Sequence, residues 1–332
     1  MAELLSTVNK SILIASSSID QYNWEPVAVA LNDRGYDVTV YEADKVAQGI
    51  IPLDVSVDND AGLKVVYDGK TLDSSSVDAA WYRRSTLISM AIERDRARQI
   101  GIDGERKIIQ TAIWDGIPNE SWLNSPDNIR RAEQKITQLA LAHELGFSIP
   151  NTVASNRWST ILDTLQEDIV FKISYIYALY CEPDDIRTVY TTPLKNNPDG
   201  LPIEGNPFPG LWQENILKAR EWRVTIVGDD TFDAAIYTTK DAKDDWRRHT
   251  TSSGRVDFRA ESFPDDQKEK CFQYLGRFGL RFGAFDFIEG SDGKMTFLEC
   301  NANGQYKWLE NNLGFPISEA IANELATIAD RN

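Results

Sequence analysis

A chain of 332 residues, 42% hydrophobic and 26% charged, has room for two or three globular domains around a sizeable shared core. Its formal net charge of −16 opposes polyanions, so neither nucleic acid nor an anionic membrane surface is an expected partner. The 3 cysteines are widely spaced and the histidines number only 2, which argues against a disulfide framework, a zinc site and a histidine-based triad. No apolar run approaches the ~20 residues that span a bilayer. The N-terminus lacks a charged-then-apolar signal pattern, and the cytoplasm is the expected compartment.

In chain order, the apolar run Ser11 to Ala15 reads as a strand, Trp24 to Arg34 as a helix stopped by Gly35, and Asp37 to Tyr41 as a second strand. Strand, helix, strand is an α/β opening with a parallel pair. It carries neither a Gly-x-Gly-x-x-Gly fingerprint nor a P-loop. Leu53 to Val57 and Leu63 to Tyr67, followed by the turn Asp68-Gly69, predict a small antiparallel addition. Val77 to Tyr82 is a buried strand with Arg83 and Arg84 at its carboxyl end, where open α/β sheets usually hold ligands; a solvated arginine pair is the alternative. A charged helical pattern runs from Ile88 to Trp114, with a break expected near Gly101 to Gly104.

Ser125 as N-cap and Pro126 at the first helical position start a helix predicted to reach Leu145 and stop at Gly146. The expected domains are therefore 1–124, 125–210 and 211–332. Lys172 lies in the apolar strand Ile169 to Ser174, where it either meets an anionic ligand or faces solvent. A hairpin is predicted around Arg187 to Thr192. Further strands are read at Leu211 to Ile216, Glu221 to Val227 and Phe232 to Ile236, then a helix from Pro264 to Phe278 and a last helix from Ser318 to Ala329.

The chemistry-bearing stretch is Phe282 to Ile288 with Lys294 to Gly304. Both halves alternate apolar and other residues, and Glu289 to Gly293 between them is turn chemistry, so they form a hairpin. Asp286 lies on one strand. Glu299 and Asn301, two apart on the other, share a face. Two carboxylates and an amide offer only oxygen, which suits Mg²⁺ and its habit of sharing coordination with substrate phosphates. The other reading is a hairpin whose acidic residues are simply solvated.

The ordered set Ala80-Trp81-Tyr82-Arg83-Arg84, Val170-Phe171-Lys172, Gln213-Glu214-Asn215-Ile216, Glu221 to Gly228, Asp245-Trp246-Arg247, Phe285-Asp286 and Leu298 to Asn301 resembles the ATP-grasp superfamily over nearly the whole chain. Within it, the Trp-Tyr-Arg-Arg strand and the Asp-Trp-Arg loop resemble the microviridin-type (graspetide) peptide cyclases. The resemblance implies a mixed α/β (α+β) ATP-grasp fold behind an N-terminal α/β pre-ATP-grasp domain. It also implies a ligase that activates Asp or Glu side chains of a ribosomally made precursor peptide as acyl phosphates and closes ω-ester or ω-amide rings. By the same resemblance, Lys135 and Lys172 contact ATP phosphates and Gln213, Glu214, Asn215 and Ile216 form the adenine hinge. Arg223 and Arg247 face the γ-phosphate or acyl phosphate, and Asp286, Glu299 and Asn301 hold Mg²⁺. A homodimer is compatible with it. The chain departs from the family's frequent Glu-Ile-Asn-Pro in having Glu299-Cys300-Asn301-Ala302. Two rivals share these residues: a ligase joining two separate molecules, and a binding module without turnover. Because chain and peptide core are both acidic, recognition is expected from an apolar groove for a leader helix and from the local cluster Arg83, Arg84, Arg247 and Arg248.

Overall fold

In the N-terminal unit, the apolar β1 (Ser11–Ser16) is buried from Ile12 onward and pairs in parallel with strands on both sides. The computed structural model describes residues 10–59, 62–85, 96–165, 168–172, 178–182, 185–188, 192–193, 209–239 and 254–332. After β1 come α1 (Gln21–Asp33), β2 (Asp37–Glu42), α2 (Ala43–Ala47), β3 (Leu53–Asp58), β4 (Gly62–Tyr67), β5 (Lys70–Leu72), β6 (Ala79–Tyr82), α3 (Arg96–Asp115) and β7 (Trp122–Leu123). The main sheet has the order β2-β1-β6-β7, and β3, β4 and β5 form the small antiparallel addition the sequence predicts. The expected break near Gly101 is absent. α3 runs through both glycines, anchored at its far end by the buried Ile113 and Trp114, so tertiary packing overrides a weak local propensity. The expected start of this helix at Ile88 lies outside the described residues.

The central part contains α4 (Pro126–Ala132), α5 (Lys135–Glu144), β8 (Thr152–Ser155), α6 (Trp158–Leu165), β9 (Ile169–Lys172), β10 (Ala178–Glu182), β11 (Asp185–Thr188), β12 (Thr192–Pro193) and β13 (Gly210–Glu214). Ser125 caps α4 as predicted, its hydroxyl accepting from the Asn128 amide at 3.3 Å. The single helix predicted to Leu145 is two. Gln134 is extended (φ −75°, ψ 101°), and the Gln138 side chain donates to the Ala132 carbonyl at 2.6 Å, taking up an end group of α4. Lys135 therefore opens α5 instead of lying inside a longer helix. β10 and β11 form the hairpin, somewhat earlier than the predicted Arg187 to Thr192. Strand order β12-β9-β13-β8 puts β13 in the central sheet, so the chain changes sheet after Glu214 and not at 211.

The C-terminal part contains β14 (Arg220–Val227), β15 (Asp230–Thr238), β16 (Val256–Ala260), α7 (Asp265–Phe278), β17 (Phe282–Glu289), β18 (Met295–Asn301), α8 (Lys307–Leu313) and α9 (Ile317–Arg331). Its five-stranded sheet has the order β16-β15-β14-β17-β18. One face packs against α4, α5 and α7 through Ile129, Leu139, Phe147, Tyr274, Phe285, Phe287 and Phe297. α4 and α5 thus share the C-terminal core, although the sequence expectation grouped them with the central unit. The other face meets α9, which also packs against β1 and α1 of the N-terminal unit. Full burial of a phenylalanine is worth about 1.5–3 kcal/mol. The cluster Phe147, Phe285, Phe287 and Phe297 therefore contributes several kcal/mol to holding the sheet against these helices.

Candidate active site

The site begins with a fault in a strand. Strict alternation would put Phe297, Glu299 and Asn301 on one face. The pairing instead runs Asp286↔Glu299 and then Phe287↔Phe297, so Leu298 is the extra residue of a β-bulge. The bulge shifts the phase of β18. Phe297 and Cys300 enter the core, while Glu299 and Asn301 turn to the opposite face. Register then aligns Arg223 of β14, Asp286 of β17 and Glu299 of β18 in one row across the sheet.

The row is electrostatically matched. Arg223 Nε lies 2.9 Å from Asp286 Oδ1, with both residues nearly fully buried. Arg223 Nη1 is buried and has no hydrogen-bond partner among the described residues. Lys135, at the start of α5, forms an ion pair with Glu299 Oε2. The remaining carboxylate oxygens, Asp286 Oδ2 and Glu299 Oε1, both accept from the Asn301 amide, at 3.1 and 3.4 Å.

These residues fit Mg²⁺. Two carboxylate oxygens converge on one electropositive NH₂ group, and turning the Asn301 amide over would put its oxygen among them as a third hard donor. Among the described residues, no group of three or more His, Cys, Asp or Glu side chains could hold a metal. The oxygen set of the hairpin is thus built from two carboxylates and an amide.

Arg83 sits in the expected crevice, but the chain itself occupies that crevice. The crevice at the carboxyl ends of β1 and β6 is filled by the chain's own segment after β18. Arg83, 1% exposed, donates from Nε to Asp20 Oδ2 at 2.8 Å. From Nη1 it donates to the Asn303 and Gly304 carbonyls at 3.0 and 2.9 Å, and from Nη2 to Gln305 Oε1 at 2.8 Å. Burial lowers its pKa from the usual arginine value, and the adjacent Asp20 charge opposes that shift. Each of its three nitrogens donates to a protein acceptor, so its fork is turned to the chain's own segment and not to a peptide carboxylate. Gly304 fits this close approach because an added Cβ would lie 2.6 Å from Ala284 Cβ and 3.2 Å from Asn301 Cβ. Asn124, at the end of β7, holds the same segment by donating to the Phe282 and Ala302 carbonyls at 2.9 and 3.1 Å.

Arg84 follows directly in the chain. Its φ of 48° is left-handed, costing a residue of this kind about 1–2 kcal/mol. Arg84 is an electrostatic neighbour of Glu133, which also senses Lys135 and Glu299. Glu133 is solvent-exposed, and protein crowds its carboxyl end. Burial raises its carboxyl pKa, Arg84 and Lys135 oppose the rise, and Glu299 adds to it. Burial likewise pushes Tyr82 up to about 12, with the charge of Glu133 contributing. Tyr82, Arg84, Lys135 and Glu299 are thus the electrostatic neighbours of Glu133.

Lys172 ends β9, half-buried and paired across the sheet with Leu211. Gln213 is buried, its amide donating to Thr152 Oγ1 at 2.9 Å. The Glu214 carboxylate accepts from Asn151, and the Asn215 amide donates to the Asp168 carbonyl at 2.7 Å. With Ile216, these residues lead from the central sheet to the C-terminal one. Arg247 and Arg248 lie outside the described residues. Sequence reasoning missed Asn124, Glu133 and Gln138. A polar residue inside a helical or strand pattern carries no local mark of a partner more than a hundred positions away.

The fold is that of ATP-grasp ligases with a pre-ATP-grasp domain in front. Residues 11–130 match the family model described as the MvdD pre-ATP grasp domain. The chain is similar to the macrocyclase MdnC of Microcystis aeruginosa MRC, bound with precursor peptide MdnA, at 27% identity and a TM-score of 0.80, covering 96% of this chain and 99% of that one. The macrocyclase MdnB from the same source matches at 24% identity and a TM-score of 0.77, over 95% of this chain and 99% of that one. A RiPP-associated ATP-grasp ligase of Chryseobacterium gregarium, in complex with ADP and a leader and core peptide, matches in fold at 23% identity and a TM-score of 0.79, over 96% and 97% of the two chains. No curated protein matches the sequence.

Proposed function

We propose that this chain is an ATP-dependent, ADP-forming ligase that closes rings in a ribosomally made precursor peptide by joining its Asp or Glu side chains to hydroxyl or amine side chains. The observation that carries this reading is the row Arg223, Asp286 and Glu299 with Asn301 and Lys135, set in a chain that matches a macrocyclase over almost its full length. Phosphoryl transfer to a carboxylate requires positioning and charge neutralisation, not a protein nucleophile. The described cysteines suit that, since burial raises both the Cys271 and Cys300 thiols.

Asp286, Glu299 and Asn301 would hold Mg²⁺, which when bound supplies positive charge to the phosphate oxygens. Lys135 and Lys172 would bind those oxygens from the protein side. Arg223, held by Asp286, has a buried Nη1 donor left for an oxyanion. In the first step a peptide carboxylate oxygen takes the γ-phosphoryl group, giving an acyl phosphate and ADP. In the second, a hydroxyl or amine attacks the acyl carbon and loses its proton. The carbon–oxygen bond to phosphate breaks, and phosphate leaves with the electron pair. Arg84 is proposed to receive the acidic core, together with Arg247 and Arg248, with the leader in an apolar groove. The cytoplasm and a homodimer are proposed on the same footing. Among the described residues no helix is long and apolar enough to cross a membrane.

Incubating the protein with ATP, Mg²⁺ and any short acidic peptide found encoded beside it, followed by mass spectrometry, tests the reading. Each ring should remove one water, about 18 Da. A mass gain equal to an added amino acid would indicate a ligase joining separate molecules, and an unchanged mass with no ADP formed would indicate a binding module. Lys172→Met is expected to weaken ATP binding by about tenfold with little loss of stability, because an apolar side chain suits the end of β9. Calorimetry giving parental ATP affinity would return Lys172 to a solvent-facing role.

A further inference from the structure

We infer that Gln138 is a positioning residue for the metal site: by pairing with the backbone of Cys300 it keeps Glu299 and Asn301 turned toward the nucleotide side of the sheet. The inference rests on the metal reading above. Gln138 is 3% exposed. Its Oε1 accepts from the Cys300 amide at 3.0 Å, and its Nε2 donates to the Cys300 carbonyl at 2.8 Å and to the Ala132 carbonyl at 2.6 Å. One side chain thus reproduces both hydrogen bonds that a neighbouring strand residue would make.

Among the described residues β18 is the last strand in its sheet, so its outer edge has no further strand beside it. Cys300 is fully buried there, and its outward N–H and C=O need partners. On the other side of the bulge, the same edge is held by the Ser148 carbonyl, which accepts from the Phe297 amide at 2.8 Å. Leu298 is therefore fixed from both sides, by Ser148 and by Gln138. A strand that slipped by one residue to remove the bulge would turn Glu299 into the core face. Three positions before Gln138, on the same face of α5, Lys135 reaches Glu299 Oε2. A single helix turn thus sets both the backbone and the charge of the ligand strand.

The probe is Mn²⁺ in the presence of ADP, its free fraction read by electron paramagnetic resonance, beside a thermal melt. Gln138→Met, which keeps the bulk and loses all three hydrogen bonds, should weaken Mn²⁺ binding by about tenfold or more, the usual effect of removing a group that orients a ligand. Leu139→Ala, a buried neighbour on the same helix, should lower the thermal midpoint and leave Mn²⁺ binding unchanged. Parental Mn²⁺ binding in Gln138→Met, or equal weakening in Leu139→Ala, would overturn the inference. If Gln138→Met does not fold, Gln138→Glu decides. It retains the acceptor for the Cys300 amide but places a carboxylate against two carbonyls; several-fold weaker binding supports the role, and parental binding refutes it. Glu299→Gln is the reference. If that variant binds Mn²⁺ normally, the metal reading fails and takes the inference with it. If it binds weakly while Gln138→Met binds normally, only the inference fails.

Discussion

Glu299→Gln is expected to lower ring formation by about two orders of magnitude or more, in line with the loss of a single preorganised electrostatic group, while the protein stays folded. Glutamine keeps the shape, so the strand, the bulge and the neighbouring Cys300 backbone contacts should persist. Only charge is removed, first from the hard-cation site and second from the ion pair with Lys135. The pair is partly exposed, with side chains at 24% and 16%, so its loss should cost no more than about 1 kcal/mol. Activity and stability should therefore separate: a large fall in turnover beside a small change in thermal midpoint. Parental ATP turnover with Mg²⁺ and peptide present would show that Glu299 is not a ligand.

Arg83→Ala should produce the opposite pattern, with folding lost first. Removing one partner of a buried ion pair costs about 3–5 kcal/mol, because the other charge stays buried without compensation. Here the residue left behind is Asp20, 6% exposed, and the Asn303 and Gly304 carbonyls lose their donor as well. Those carbonyls belong to the segment that follows Asn301, so partial unfolding should loosen the metal strand's exit from the sheet. Arg83→Lys should rescue little, since one ammonium cannot span acceptors that a planar fork meets at several points. A thermal melt within a degree or two of the parent would contradict the account of this network.

The hairpin from Phe282 to Asn301 was readable because alternation and turn chemistry are local. Its bulge was not. Phe297, Glu299 and Asn301 have the same parity in the sequence, and only pairing with β17 shows that Leu298 changes the phase. The same limit applies at Glu133 and Gln134, where good helix formers give no sign that α4 and α5 separate; Gln138 and its tertiary contacts decide it. For Arg83 the general rule about carboxyl ends of strands identified the right crevice and the wrong occupant, since the 303–305 segment of the chain itself fills it. Lys135 carried no mark in its own helical pattern and entered through resemblance alone. The structure brings it to Glu299.

The central claim is that a peptide carboxylate becomes an acyl phosphate before the ring closes, and isotope transfer tests it most directly. A precursor peptide with oxygen-18 in its Asp and Glu side chains would be incubated with the protein, ATP and Mg²⁺. The account predicts that each ring closed releases ADP and one inorganic phosphate carrying one oxygen-18 from the peptide, with no label in any adenine nucleotide. Ring closure that releases unlabelled phosphate, or that puts the label into AMP, would contradict it.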